Sequence, residues 1–380
     1  MQHPGFLPHA SPIAGDWQAA ARRVADRAMA GAGALDRGGA FPAAEVEALA
    51  GEGLLLAPFP AAAGGAGLWG GAAQAGLCAV LRLIGRGSLP LGRLYEGHVN
   101  AVGLIARYGE AEQVRSFAAA AAAGALFGVW NTEPANDGLR LCRDGRDWRL
   151  EGRKILASGA GWIERPLVTA RLADRSVVMV IPRVEPGTRA DLSAWQVQGM
   201  RASATGSLDF TGLAVEPLEI LGRPGDYTRQ PVFSGGAWRF AAVQTGGIEA
   251  LVDAMRAHLA DAGRLGDPHQ QARLAEATTA AMTARLWVER AAALAEAPDS
   301  PAESVVALVN LARLAVERAG LEAIQLAQRS VGLASFIEGR PLERLMRDLA
   351  VYLRQPKPDE ARVTASAHVA ASAQSVGDLW

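Results

Sequence analysis

The period of the hydrophobic pattern changes twice along this chain, from helical to strand-like and back to helical. This order of regions limits the folds that the chain can adopt. Residues 1 to about 124 are alanine-rich and mostly helical in period. Residues from about 125 to 222 form short strand-like runs, and the helical period returns from about 232. Because 380 residues exceed the usual size of one hydrophobic core, several packed units are expected. The sequence therefore predicts an α+β protein, mainly α, in three domains.

The N-terminal helical domain is predicted to span residues 1–124. Glycines at 64, 65 and 67 and at 70 and 71 predict a loop that interrupts the helices. Apolar residues of the segment 99–108 mostly share one helical face. The alanines of 118–123 predict a helix end, with Gly124 as its stop.

The central β-barrel-like domain is predicted to span residues 125–225. Residues 148–150 and 153–157 flank Glu151-Gly152 and predict one hairpin, and residues 167–172 and 176–181 predict a second one. The unbroken apolar run within the last segment is typical of a strand buried on both faces. Shorter strands are expected at 208–210 and 213–215. Several short strands close together favour a small barrel or sandwich.

A C-terminal four-helix bundle is predicted over residues 226–380. The candidate helices are 236–261, 267–296, 301–333 and 341–353. Pro341 suits the first turn of the last helix, and Pro356 and Pro358 are expected to stop it. Short links between these helices favour an antiparallel bundle.

Composition removes several classes of function. The net charge of -1 disfavours nucleic acid or an anionic membrane surface as a partner, and no apolar run is long enough for a membrane span. Cys78 and Cys142 stand outside any metal-binding spacing and predict reduced thiols. The first residues lack the pattern of a signal peptide, so a cytoplasmic location is expected. The histidines show no metal spacing, and no metal site is predicted.

Four motifs follow one another along the chain. Residues 130–134 read Trp-Asn-Thr-Glu-Pro, 152–159 read Gly-Arg-Lys-Ile-Leu-Ala-Ser-Gly, and 199–205 read Gly-Met-Arg-Ala-Ser-Ala-Thr. Residues 341–348 read Pro-Leu-Glu-Arg-Leu-Met-Arg-Asp. Each motif alone is typical of a turn, hairpin, loop or helix start. In this order and at these distances they resemble the acyl-CoA dehydrogenase superfamily of flavoproteins, over nearly the whole chain.

The resemblance implies a flavin site made by two of the motifs. FAD is expected between the β domain and the bundle. Thr132 matches the threonine of the family's Thr-Glu-Pro loop, which contacts the flavin, and Trp130 can supply an aromatic face beside it. Ser158 matches the hydroxyl that meets flavin N5, and Leu156 replaces the usual aromatic residue. Residues 135–139 depart from the family's Gly-x-Gly-Ser-Asp, which affects contacts to an acyl thioester.

The resemblance also implies that two residues of the bundle hold the pyrophosphate of FAD across a subunit interface. Arg264 and Gln271 stand near the family's phosphate-binding motif, although its Phe-Gly is missing. The other interpretation is that both residues simply lie on the solvent-exposed first turn of a helix. The glycine motif that contacts the adenosine part of FAD is reduced at 329–333. The resemblance also implies a homodimer or homotetramer.

This sequence has no carboxylate at the position where the family usually carries its catalytic base. Dehydrogenation of an acyl thioester needs a carboxylate that removes the α-proton while the flavin accepts a hydride. Counting about nine residues on from Arg347 reaches Pro356, which cannot accept a proton. Asp359 and Glu360 follow Pro356 and Pro358 closely enough to supply a relocated base, and Glu360 is the candidate.

Three interpretations follow from this departure. The first is an acyl-CoA dehydrogenase-like oxidoreductase, with a small-molecule substrate such as an acyl-CoA. The second is a flavin-dependent monooxygenase or oxidase of the same superfamily, for which His368 is the one C-terminal histidine candidate. The third is a family member that has lost catalysis and serves as a binding subunit.

Overall fold

The computed structural model of the chain describes residues 16–69 and 71–380. The structure does not describe residues 1–15 or Gly70. The predictions made for them, including that of no signal peptide, therefore lie outside the described residues. Within them, helices come first, strands second and helices last, which confirms the predicted fold class. The domain boundaries stay predictions.

Among the N-terminal helices, the one over Leu89–Tyr108 (α4) is largely buried. Helix α4 begins after Ser88, whose hydroxyl accepts a hydrogen bond from the Leu91 N–H at 3.4 Å. It contains the predicted segment 99–108, and α5 ends before Gly124, which has a φ of 96°. Gly71, predicted to lie in a loop, begins α3 instead. The helices are α1 Trp17–Gly38, α2 Ala43–Gly51, α3 Gly71–Gly87, α4 Leu89–Tyr108 and α5 Ala111–Ala122.

The central region contains two sheets. The larger one has the strand order β10-β6-β5-β2-β3-β9, with β1 parallel to β5, and the smaller one has the order β4-β8-β7. The predicted hairpin at 167–181 is confirmed by the antiparallel pair β5 and β6. The strands are β1 Phe127–Trp130, β2 Arg140–Asp144, β3 Asp147–Glu151, β4 Arg153–Ala157, β5 Arg165–Arg171, β6 Val177–Val180, β7 Ala190–Asp191, β8 Gly206–Asp209, β9 Leu213–Val215 and β10 Ile220–Leu221.

The hairpin predicted around Glu151-Gly152 is wrong. Strand β3 pairs with β2 and β9, whereas β4 pairs with β8 in the other sheet. Gly152 has a φ of 106°, and a Cβ there would lie 2.6 Å from the carbonyl oxygen of Gly138. The chain leaves one sheet and enters the other at this glycine. A residue without a side chain is needed there because the backbone of Gly138 is so close.

The C-terminal helices match the predicted ones and add another. Helices α7 to α10 agree with the four predicted helices to within two residues at each end, and α7, α8 and α9 pack against one another. Pro358 was predicted only to stop a helix, but it also begins α11, since proline is tolerated in the first turn. Helix α11 packs against α9. The helices are α6 Val232–Gly235, α7 Trp238–Asp261, α8 Pro268–Ala295, α9 Ala302–Val331, α10 Pro341–Tyr352 and α11 Pro358–Ala371.

Candidate functional site

A cavity of about 490 Å³ lies where the helical regions meet the β domain. Its walls come from α4, the end of β1 and the loop after it, β4, α7, α9, and the start of α11. Its volume is within the usual range of small-molecule sites. Among the residues predicted for the site, Trp130, Thr132 and Glu360 line this cavity, and so do Leu156 and Pro356.

The loop after β1 is held in place by a buried lysine. Lys154 is fully buried on β4, and its ammonium donates to the Asn131 carbonyl at 3.2 Å and to Glu133 Oε1 at 2.6 Å. A third bond goes to the Thr169 hydroxyl at 2.9 Å. Burial lowers the pKa of Lys154, and the bond to Glu133 offsets part of that effect. The lysine therefore holds the residues on both sides of Thr132, one through its backbone carbonyl and the other through its side chain.

Thr132 presents unused hydrogen-bonding groups to the cavity. Its carbonyl accepts from the Ile155 N–H at 3.0 Å, which joins the loop to β4. Within residues 16–69 and 71–380, neither its backbone N–H nor its hydroxyl has a partner. An exposed donor pair beside an apolar wall is what the polar edge of a flavin ring requires, so these residues fit such a cofactor.

Leu156 supplies the apolar side of this wall. Its φ of 52° is unusual for a non-glycine residue, and its side chain is 58% exposed. The register between β4 and β8 shifts between Lys154 and Ala157, which marks a bulge at this point. The bulge brings Leu156 into the wall of the cavity.

Ser158 and Trp130 are tied into the β domain. Ser158 is only 9% exposed and does not line the cavity; its hydroxyl accepts from Thr205 Oγ1 at 3.1 Å. The Trp130 indole N–H donates to the Ser158 carbonyl at 3.0 Å, and the ring lies edge-on to Phe210. Trp130 is 3% exposed, so only a small part of the ring reaches the cavity.

Arg264 and Gln271 lie away from the cavity of this protomer. They stand at the turn between α7 and α8. Arg264 pairs with Asp267 at 3.2 Å, and the Gln271 amide donates to the Leu265 carbonyl at 2.9 Å. The structure therefore brings Thr132, Trp130 and Glu360 together but leaves these two residues on a separate surface.

The wall opposite the β domain carries a cation that sequence reasoning missed. Arg313 of α9 donates to the carbonyl of Pro356 at 2.6 Å and lies 5.5 Å from the Phe240 ring centre. Lys357 and Glu360 follow on the same wall, and both are exposed. No local motif surrounds Arg313, since it is one of many arginines on polar helix faces.

A buried polar network forms another part of the wall. Glu96 of α4 is 1% exposed, and it accepts hydrogen bonds from Arg93 and Asn100. Arg239 of α7 donates to Asn100 and pairs with Glu296 at 3.3 Å. Sequence reasoning missed Glu96 as well, because it stands among the apolar residues of a buried helix.

The network also affects a tyrosine of α10. The Tyr352 hydroxyl lies 3.5 Å from Glu96 Oε1. Burial raises the pKa of Tyr352 well above its usual value, and Glu96 adds to the effect. Its phenol therefore stays protonated and can donate to the carboxylate.

Within the described residues, no cluster of three or more histidine, cysteine or acidic side chains could hold a metal ion. None of the described helices is both long enough and apolar enough to cross a membrane.

Comparison with known families gives two matches that together span most of the chain. The family described as "Acyl-CoA dehydrogenase, N-terminal domain" matches residues 15–125. The family described as "Acyl-CoA dehydrogenase, C-terminal domain" matches residues 227–353.

Individual relatives come from two branches. A putative acyl-CoA dehydrogenase, YdbM of Bacillus subtilis, is 25% identical over 91% of this chain and 94% of its own length. Dibenzothiophene monooxygenase of Rhodococcus erythropolis is 29% identical over 77% of this chain and 73% of its own length. The structure of TdsC from Paenibacillus with FMN and indole superimposes with a TM-score of 0.82 at 18% identity, over 93% of this chain and 96% of that one.

Proposed function

The chain belongs to the acyl-CoA dehydrogenase superfamily, and we propose that it is a flavin-dependent monooxygenase of this superfamily. The observation that supports the proposal most strongly is at Pro356. This residue stands at the predicted position of the dehydrogenase base, and its carbonyl accepts a hydrogen bond from Arg313. A proline beside a guanidinium cannot take the α-proton of an acyl thioester.

The other carboxylates at the cavity are poorly suited to proton abstraction. Glu96 accepts from Arg93 through one oxygen and from Asn100 through the other. Protonation of Glu96 would remove the negative charge that pairs with Arg93, and loss of the charge of a buried carboxylate from its ion pair is costly. Glu360 is exposed to solvent on the first turn of α11, whereas a carboxylate base is commonly made more basic by burial.

Residues of the β domain are proposed to hold the flavin. Thr132 would donate from its N–H and hydroxyl to the polar edge of the ring, while Leu156 and Trp130 exclude water from one side. When bound in reduced form, the flavin supplies the electrons for chemistry with O2. Lys154 keeps Thr132 in position through the Asn131 carbonyl and Glu133.

The identity of the flavin is open to a direct measurement. FAD was predicted from the sequence, with Arg264 and Gln271 of a neighbouring copy at the pyrophosphate. FMN is supported by TdsC, whose structure contains it. Chromatography of the flavin released from the purified protein separates the two, and a homo-oligomer is required only by the FAD arrangement.

Acyl-CoA dehydrogenation is the second candidate function. Glu360 lines the cavity, and the Bacillus relative, named as a putative acyl-CoA dehydrogenase, matches over nearly its whole length. In that case Glu360 is the relocated base.

One experiment separates the two functions. The flavin-loaded protein is titrated anaerobically with a series of acyl-CoA thioesters, and its visible absorption is recorded. We expect the flavin to stay oxidised, and incubation with reduced flavin, 18O2 and a panel of small molecules to yield a product carrying one 18O atom. Bleaching by an acyl-CoA, lost in Glu360→Gln, would establish the dehydrogenase instead. Failure to bind any flavin would support a non-catalytic binding subunit.

A further inference from the structure

Arg313 is a cation at the cavity that has no acidic partner within the described part of the chain. Its guanidinium makes one hydrogen bond, to the Pro356 carbonyl, and the side chain is half-buried. The nearest acid on the same helix, Glu317, is occupied by Arg354 at 2.6 Å. Among the residues that the structure describes, no carboxylate forms an ion pair with Arg313. Most of its donors are therefore available to a ligand.

The other arginines of the cavity are already compensated. Arg93 pairs with Glu96, and Arg239 pairs with Glu296 at 3.3 Å. Four cationic side chains line the cavity against only two acidic ones. The cationic ones are Arg93, Arg239, Arg313 and Lys357, and the acidic ones are Glu96 and Glu360. Glu360 lies on the same wall as Arg313 and Lys357, so that wall keeps an excess of one positive charge.

An uncompensated guanidinium at a cavity wall is costly unless a ligand supplies the negative charge. Burial lowers the pKa of Arg313, which shows that its surroundings disfavour the charged form, and Glu317 offsets only part of this. A planar guanidinium with free N–H groups matches the two oxygens of a carboxylate or the oxygens of a sulfonate or phosphate.

We propose that the substrate of this cavity is a small organic anion and that Arg313 binds its anionic group. The inference rests on the proposed function in taking the cavity as the substrate site, but it holds for either reaction. Arg313 belongs to the bundle, whereas Thr132 and Leu156 belong to the β domain. The anionic group would therefore lie on the bundle side, with the reacting part of the molecule toward the flavin-facing residues.

Equilibrium binding tests this proposal without any turnover. The flavin-loaded protein is titrated with phenylacetate and phenylacetamide, and with hexanoate and hexanamide, while flavin absorption or heat is measured. Each pair has nearly the same shape and differs in charge. We expect the acid to bind about tenfold more tightly than its amide, because a hydrogen bond to a charged group is worth more than a neutral one. Equal binding of acid and amide, or no binding by any acid, would overturn the proposal.

Variants assign the preference to one side chain. Arg313→Gln is expected to abolish the preference for the acid, and Arg313→Lys, which keeps the charge and a donor for Pro356, to retain part of it. Arg318→Gln is the matched control, because Arg318 is exposed on the same helix and does not line the cavity. A preference that survives in Arg313→Gln would contradict the assignment.

Other anions could also use this guanidinium. The variants are therefore titrated with FMN, riboflavin and coenzyme A. Weaker FMN binding in Arg313→Gln with unchanged riboflavin binding would assign Arg313 to the flavin phosphate and overturn the proposal. Weaker coenzyme A binding with an unchanged acid preference would overturn it too. Because none of these titrations needs O2 or catalysis, failure of the proposed monooxygenase reaction is a separate result.

Discussion

Leu156 of β4 and Ser158, just after the strand, show how a local backbone feature changes which side chains of a motif are exposed. The motif at 152–159 directs attention to Ser158 as a flavin contact, yet Ser158 is 9% exposed and Leu156 is 58% exposed. The positive φ of Leu156 and the register shift beside it change which side chains reach the cavity. A bulge of this kind depends on pairing with β8, which is distant in sequence.

His98 is a second residue whose role depends on tertiary contacts. It is fully buried on α4, where Nδ1 accepts from the Phe127 N–H at 3.1 Å and Nε2 lies 2.7 Å from the Leu55 carbonyl. Nε2 must therefore carry the proton. Burial lowers the pKa of His98 to about 4, although the bond to Leu55 opposes the shift. The neutral ring joins β1, α4 and the segment after α2.

Protonation of His98 is expected to destabilise the protein at acid pH. The folded pKa is below that of the unfolded chain, so the stabilisation is complete above about pH 6.5 and is lost as the pH falls toward 4. The loss is on the order of 3 kcal/mol. In His98→Gln, whose amide can accept and donate at the same places, this part of the pH dependence should disappear. Urea unfolding from pH 4 to 7 measures it, with His258→Gln as control; an unchanged slope in His98→Gln would contradict the assignment.

At the scale of elements, helices α3 and α7 are in backbone contact. A Cβ on Gly246 would lie 1.9 Å from the Arg82 carbonyl oxygen, and one on Gly85 would lie 2.2 Å from that of Val243. Ion pairs between Arg82 and Glu249 and between Arg86 and Asp253 flank this contact. Periodicity predicted α7, but it did not indicate which glycine would meet a partner helix.

Substitution of Gly246 should separate these two helices. Gly246→Ala is expected to lower the free energy of unfolding by about 1–3 kcal/mol, because the added methyl group has no space. Gly76→Ala on α3 is the control: a Cβ there meets nothing within 4 Å, and replacing a helical glycine should be neutral or add up to about 1 kcal/mol. Chemical denaturation measures both. Equal stability of Gly246→Ala and the native protein would disprove the close contact.

At the scale of the whole molecule, the motif at 341–348 connects the three regions. Arg347 of α10 pairs with Asp36 of α1 at 2.6 Å, and it also bonds to Glu343 and the Gln198 carbonyl. The neighbouring Asp348 accepts from the Met200 N–H at 2.6 Å. The loop at 199–205 therefore docks on α10.

Removal of Arg347 should loosen the association of the three regions. Arg347→Met leaves the carboxylates of Asp36 and Glu343, which are 7% and 8% exposed, without their cation. We expect a loss of about 3 kcal/mol, since breaking a buried ion pair on one side is costly. Thermal and urea unfolding followed by circular dichroism measure it, with exposed Arg340→Met as the control. A loss no larger than in the control would exclude Arg347 as a connection between the regions.

The sequence by itself determined the order of helices and strands, most helix ends, and the family, because hydrophobic period, capping residues and motif spacing are local properties. It also pointed to Thr132, Trp130 and Glu360, and all three line one cavity. Tertiary structure decided the rest. Strand β4 belongs to a different sheet from β3, and Arg313 has no acidic partner among the described residues while Glu96 has three donors, Arg93, Asn100 and Tyr352. Such features depend on which distant segments meet, and no local pattern encodes the burial or the partner of a single charged side chain.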